Sequence, residues 1–275
     1  MKLSKKLLSG SLILAVAGMV LLFQPLTFAV KRGDEVLNYS QSTEAAQLGI
    51  LNGIGFVDIK YTSGKEVIII ATLELSGGSS SEQATKREQL VLVPIHVNNT
   101  LLVEAKAKDG KNYWTWLRNN LNADKTRINY EIRVPESIKI VKVYNAVGNV
   151  TATGVKSALD IEVYTGHITG TLLSPQNYTN SITYTGNINM EYSNISNAAL
   201  LKSSIVVGNI TVKMPSGSNY AIDNNKVDPA PAKVDDVISD ENINRVREWL
   251  LSTQQYTENT TTVANKASFG TVSVR

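Results

Sequence analysis

Gly148-Asn149-Val150-Thr151, Gly166-His167-Ile168-Thr169, Gly186-Asn187-Ile188-Asn189 and Gly208-Asn209-Ile210-Thr211 are near-copies of one tetrapeptide, and Gly270-Thr271-Val272-Ser273 repeats it after a gap. The first four glycines stand 18, 20 and 22 residues apart. A near-fixed period of this length signals a repeat architecture. In each copy the glycine turns the chain, because it adopts positive φ without steric cost. Two and four residues on come Val150 and Ala152, Ile168 and Gly170, Ile188 and Met190, Ile210 and Val212, Val272 and Val274, all apolar or small. The residue between each pair is Thr, Asn or Ser, so a short β-branched strand turns one face inward and the other to water. A unit of about 20 residues cannot bury its own apolar face, whereas coils stacked about 4.8 Å apart can. The expectation is an all-β chain wound as a β-solenoid.

Working outward, the 275 residues are 43% hydrophobic, enough for a sizeable core in one or two domains. Residues 1 to 29 carry Lys2, Lys5 and Lys6, an apolar run from Leu7 to Phe23, and a small-residue cleavage pattern at Thr27-Phe28-Ala29. They read as a signal peptide or, uncleaved, as an N-terminal anchor. Either way the remainder is exported, secreted or held at the cell surface. Those three lysines are also the whole of the net charge of +3, since the other 24 basic residues balance 24 acidic ones. A neutral mature chain argues against nucleic acid as partner and leaves the N-terminal segment as the only route to a membrane. Cysteine is absent, so neither a disulfide nor a lipid-modified thiol contributes.

Residues 30 to 49 are polar and mixed and read as a tether. The solenoid is expected over 50 to 275, beginning at Gly53-Ile54-Gly55-Phe56-Val57-Asp58-Ile59 and continuing with Val67-Ile68-Ile69-Ile70 as a fully buried strand. Ser76 to Glu88, with Gly77-Gly78-Ser79-Ser80-Ser81, reads as a surface loop. Further strands are expected at 90–97, 101–106 and 127–134. After Pro229 and Pro231 a helical insert at about 229–262 is predicted. Within it Ser239 to Ser252 sets Ile243, Val246 and Leu250 on one face and Asp240 and Glu241 in the first turn. A helix docked there would cover a sheet edge.

The order of these parts resembles the prokaryotic putative-adhesin family of exported β-strand-repeat proteins, a domain of unknown function. The matching pieces are Gly55-Phe56-Val57-Asp58-Ile59, Ile132-Arg133-Val134-Pro135, Val147-Gly148-Asn149-Val150, Tyr164-Thr165-Gly166, Tyr184-Thr185-Gly186 and Phe269-Gly270-Thr271-Val272-Ser273-Val274. They span roughly residues 50 to 275. The resemblance implies a right-handed single-strand parallel β-helix, with no catalytic residues to carry over. The helical insert and the Trp114 region depart from the family pattern.

Chemistry-bearing clusters are sparse. His96 and His167 are the only histidines, too few with no cysteine for a zinc site of the usual kind, and no cofactor motif is present. His167 takes the turn position held elsewhere by Asn149, Asn187 and Asn209, and His96 reads as a surface residue. Asp160 and Glu162 share one strand face, as the two acids of a glycan-cleaving enzyme would, but no basic cluster accompanies them, and a solvated face accounts for them. Asp235 and Asp236 with Asp240 and Glu241 read as a helix start. Tyr113-Trp114-Thr115-Trp116 is the candidate ligand-binding cluster: on a strand, Trp114 and Trp116 would share one face and stack on a sugar or a partner, or else plug the end of the solenoid. Tyr144, Tyr164 and Tyr184 precede successive glycines and would form a stacked row. Glycosylation sequons stand at Asn38, Asn98, Asn149, Asn177, Asn194, Asn209 and Asn259. The function expected is a non-enzymatic surface protein, adhesive or scaffolding, presenting strand faces or the aromatic loop to an envelope component, a carbohydrate or a surface protein. The alternatives are a glycan-cleaving enzyme on the same scaffold and a filament subunit whose residues 30 to 49 add to a neighbouring copy.

Overall fold

The computed structural model describes residues 34–121, 123, 125–196, 198–223, 237–253 and 260–275. The signal or anchor segment, the sequon at Asn259, Asp235, Asp236 and part of the predicted insert lie outside the described residues. The strands are β1 Asp34–Ser42, β2 Gln47–Ile54, β3 Val57–Tyr61, β4 Glu66–Leu75, β5 Leu90–Leu92, β6 Ile95–Val97, β7 Thr100–Ala107, β8 Thr126–Val134 and β9 Ile140–Val147. After them come β10 Val150–Thr153, β11 Ala158–Thr165, β12 Ile168–Leu173, β13 Tyr178–Tyr192, β14 Leu200–Lys213, β15 Ala221–Ile222, β16 Thr262–Phe269 and β17 Val272–Val274. The helices are α1 Ser80–Gln89, α2 Tyr113–Asn120 and α3 Asp240–Leu251.

The 17 strands form one mixed sheet that nearly closes, barrel-like, around a single main core. This corrects the fold expected from the repeat. The chain is not a right-handed single-strand parallel β-helix, for two reasons. First, β4 runs antiparallel to both β1 and β8, and β5 and β6 run antiparallel to β7. Only four residues link β3 to β4, far fewer than the dozen or so a parallel return needs, so β4 must reverse direction. Two residues, Asn98 and Asn99, join β6 to β7, and Asn98 takes φ 54° as a tight hairpin requires. Second, each repeat of about 20 residues holds a strand on either side of its glycine, as β11 and β12 flank Gly166. Each repeat therefore serves two ladders. One runs β7, β2, β9, β11, β13, β14, β16, and the other β8, β3, β10, β12, β13, β14, β17, all parallel.

What joins the ladders is the corner between them. Val57, Val150, Ile168, Ile188 and Ile210 pair residue to residue and are buried to within 1%, each stabilising by about 1.5–3 kcal/mol. Two residues earlier in the chain stands a column of glycines. Gly148, Gly166, Gly186, Gly208 and Gly270 have φ between 127° and 154°, and a Cβ on any one would fall on the carbonyl oxygen of the glycine beneath it in the stack. The residue after each glycine adds a side-chain ladder. Asn149 Oδ1 accepts the His167 amide at 2.9 Å, and His167 Nδ1 accepts the Asn187 amide at 2.9 Å. Asn187 Oδ1 accepts the Asn209 amide at 3.0 Å, and Asn209 Oδ1 the Thr271 amide at 3.0 Å. His167 is thus a working member of the column rather than an idle turn residue.

The remaining corrections are local. Residues 34 to 49, read as tether, build β1 and the start of β2, which pair within the chain. The loop expected at Ser76 to Glu88 holds α1, started by Ser79, whose side chain accepts the Glu82 amide. The aromatic cluster lies on α2, not on a strand, with Asn112 Oδ1 accepting the Trp114 and Thr115 amides.

The glycine column gives a direct test. Gly186→Ala forces a side chain onto the Gly166 carbonyl, with an expected loss of at least about 3 kcal/mol in guanidinium unfolding. Gly217 also has positive φ, 78°, but nothing lies within 4 Å of its virtual Cβ, so Gly217→Ala is expected to cost only about 1–2 kcal/mol. Equal losses would refute the steric reading of the column.

Candidate functional site

Two surfaces stand out, one on the outer side of each ladder. The first lies where α3 docks. Ser239 caps its start, accepting the Asn242 amide at 3.2 Å, and Asp240 and Glu241 occupy the first turn. Ile243, Val246 and Leu250 pack on Leu51, Leu102, Tyr144 and Ala146 as a second apolar cluster. Polar contacts fix the register. Arg247 forks onto Glu104 at 2.9 and 2.5 Å, and Asn242 Nδ2 donates to the Tyr144 hydroxyl at 3.0 Å.

Lys142 closes the other end of that helix. Its Nζ donates to the carbonyls of Trp249 at 2.8 Å and Ser252 at 2.7 Å and to Ser252 Oγ at 2.9 Å, placing a cation at the helix C-terminus. Register sets Lys142 beside Asp160 on the neighbouring strand. Burial lowers the Lys142 pKa, and Asp160 opposes the shift. Burial raises the Asp160 carboxyl despite a hydrogen bond from Asn180 Nδ2 at 2.8 Å and the charge of Lys142. Burial likewise raises Glu162, against the pull of Arg245 at 3.7 Å. Asp160 and Glu162 are therefore neither a solvated pair nor a pair facing open space: both are engaged by groups of this chain.

Beside the C-terminal end of α3 opens a cleft of about 520 Å³. Gln47, Asn98, Asn99, Gln176 and Asn177 bring amides to its wall, and Lys142 and Asp160 border it. Two of the sequon asparagines, Asn98 and Asn177, are thus gathered from distant parts of the chain into one recess.

The second surface is the outer face of the other ladder. Thr151, Thr169, Asn189, Thr211 and Ser273 stand in one row, paired strand to strand. Beside them run Thr153, Thr171, Glu191 and Lys213, the last two bridged at 2.5 Å. Among the described residues, α2 makes its main contacts on β7 and α3 on β2, β7 and β9, away from this face.

The other predicted residues are distributed as follows. Tyr113 and Trp114 are fully buried and Trp116 is half-buried, so the first two present no surface to a ligand. Tyr164 and Tyr184 stack at 5.0 Å with ring planes 6° apart, whereas Tyr144, two residues farther from its glycine, joins α3 instead. Asn38 and Asn194 are exposed sequons, as are Asn98, Asn177 and Asn209, while Asn149 is half-buried in the amide column. His96 is exposed in the β6 hairpin strand. Among the described residues no His, Asp and Glu group is placed to hold a metal ion, and no helix is long and apolar enough to cross a membrane.

No protein-family model and no curated protein matches the chain. Two solved bacterial structures are similar at low level. One is described as a putative cell adhesion protein from Clostridium sporogenes, 11% identical, covering 86% of this chain and 99% of its own, with a TM-score of 0.35. The other is described as a putative adhesin from Bacteroides fragilis, also 11% identical, covering 90% of this chain and 100% of its own, with a TM-score of 0.27. Likeness of this degree assigns neither fold nor activity.

Removing the Lys142 cation takes three hydrogen bonds from the end of α3 and a neighbouring positive charge from the Asp160 carboxyl, so Lys142→Met is expected to lower stability by about 2–4 kcal/mol in chemical unfolding. A second test uses pH. The ordinary values for Asp160 and Glu162 are 3.8 and 4.5, and both are raised in the folded chain. The folded state therefore holds these protons after the unfolded state has released them. That stabilising contribution is complete below the ordinary values and is lost as pH rises through the raised ones. The native protein should gain stability relative to Glu162→Gln as pH is lowered from neutral toward 4.5; parallel stability curves would refute the burial of Glu162 as a cost.

Proposed function

We propose that this chain is an exported, non-enzymatic protein of the cell surface with an adhesive or scaffolding role, and that the open face of Thr151, Thr169, Asn189, Thr211 and Ser273 does the binding. The observation that carries the reading is that row. Its side chains come from five strands locked in register, so they are spaced by the sheet at about 4.8 Å and cost little further ordering when an extended partner lies across them. Threonine and asparagine both donate and accept hydrogen bonds, which suits a polymer or envelope surface dense in hydroxyl and amide groups.

The absence of catalysis is supported by the state of Asp160 and Glu162. A pair of acids acting on a glycosidic bond must face it together, and these two are committed to Asn180 and Arg245 under α3. A filament built by donating residues 30 to 49 would have to break the eight-position pairing of β1 with β4, so self-assembly by that route is not part of the proposal.

Binding of the purified protein to envelope fractions and immobilised polysaccharides tests this. Thr169→Lys with Thr211→Lys places two bulky cations in the middle of the row and is expected to weaken retention at least about tenfold. Retention unchanged in that variant, with unfolding curves matching the native ones, would sink the assignment to this face.

A further inference from the structure

The cleft beside the C-terminal end of α3 has not been used by the reading above, and it lies on the other ladder. Its composition is specific. Amides arrive from three separate places: Gln47 from the first residue of β2, Asn98 and Asn99 from the β6–β7 turn, and Gln176 and Asn177 from the link between β12 and β13. Ile140, Ala158 and Leu251 add an apolar floor, with Tyr178 at its side. The wall also carries Lys139, Lys142 and Asp160, each held by a group of the chain. Lys142 is spent on Trp249 and Ser252, Asp160 accepts from Asn180, and Lys139 Nζ donates to the Glu136 carbonyl at 2.9 Å.

We propose that this cleft is a binding site for a short neutral saccharide. A volume of about 520 Å³ lies within the range of small-molecule sites. Five carboxamides outnumber the three ionisable groups of the lining, and Lys142 and Asp160 are already engaged within the chain, which favours a ligand recognised through neutral hydrogen bonds. Carboxamides donate and accept at once, and so do sugar hydroxyls, so Asn98, Gln176 and Asn177 at the rim meet such a ligand on both terms. The C–H faces of a pyranose ring then rest on Ile140, Ala158 and Leu251. Two amides are held in place: the buried Gln47 by its bond to the Leu250 carbonyl, and the exposed Asn99 through its Oδ1, which accepts the Ala46 amide at 3.0 Å. Gln176, Asn177 and Asn98 remain exposed and supply the adjustable contacts. The saccharide therefore touches the end of α3, and its binding is coupled to that helix being seated.

Titration calorimetry of the purified protein with diacetylchitobiose, lactose and maltose tests the site. At least one is expected to bind with one-to-one stoichiometry. Gln176→Ala should weaken that binding about 3- to 10-fold, the loss of one or two hydrogen bonds. Asn177→Trp, from an exposed rim position, should abolish it by filling the mouth. Thr169→Lys with Thr211→Lys should leave it unchanged, which separates this site from the open face. Matching thermal melts establish that each variant is folded, and if Asn177→Trp does not fold, Gln176→Ala decides. The proposal is overturned if none of the three sugars binds at millimolar concentration, if Gln176→Ala and a folded Asn177→Trp both bind normally, or if the open-face variant loses the sugar. It is also overturned if glucuronate or a short peptide binds more tightly than every neutral sugar.

Discussion

Everything in this molecule depends on how closely the chain can pass over itself at one corner. At each level the backbone turns from one ladder to the other at a glycine whose missing side chain leaves room for the carbonyl of the glycine below. Any Cβ there would push adjacent levels apart beyond the strand spacing at which amides and carbonyls pair. The corner is therefore a constraint before it is a source of energy. Once it is met, the Asn149, His167, Asn187 and Asn209 side chains satisfy amides that the turn would leave unpaired, and the Val and Ile that follow drop into the core. The ladder has one gap, at Phe56, which has no side-chain acceptor to offer; there the regular levels meet the mixture of hairpins and helices.

That asymmetry explains how far the fold could be read from residues alone. The tetrapeptide copies carried their own register, and Val150, Ile168, Ile188 and Ile210 do pair as their spacing implied. The period did not reveal that each copy spans two strands, because the second strand of a level, such as β11 ahead of Gly166, follows an alternation that says nothing about which ladder it joins. Upstream of Gly148 no period exists, and direction is set by link length. The four-residue link after β3 and the Asn98-Asn99 turn were visible signals of reversal. The Ser79 to Glu82 spacing was likewise a legible helix start hidden among serines, and Tyr113, Trp114 and Leu117 follow a helical rather than an alternating pattern of burial.

The candidate sites were less legible than the fold. Aromatic density drew attention to Tyr113 and Trp114, yet those side chains fill the core. Large apolar rings are as useful for packing as for recognition, and only position separates the two uses. The sequon asparagines attracted notice for a different chemistry, and two of them, Asn98 and Asn177, line one cleft because the segments before β7 and β13 end on the same side of one ladder, four strands apart. Asp160 and Glu162 were read as solvated; the helix that covers them was predicted, but where it would lie was not in the sequence.

The two ladders differ in how they would bear mechanical load. The open row shares a pull along its strands among all its levels at once, since every strand from β10 to β14 is hydrogen-bonded on both sides. Among the described residues β17, three residues long, pairs with β14 alone, so a force perpendicular to it would open its rungs one at a time. Force along the strands of the threonine row loads its levels in shear, the strong direction of a ladder, whereas in this ladder β17 is held by the fewest rungs.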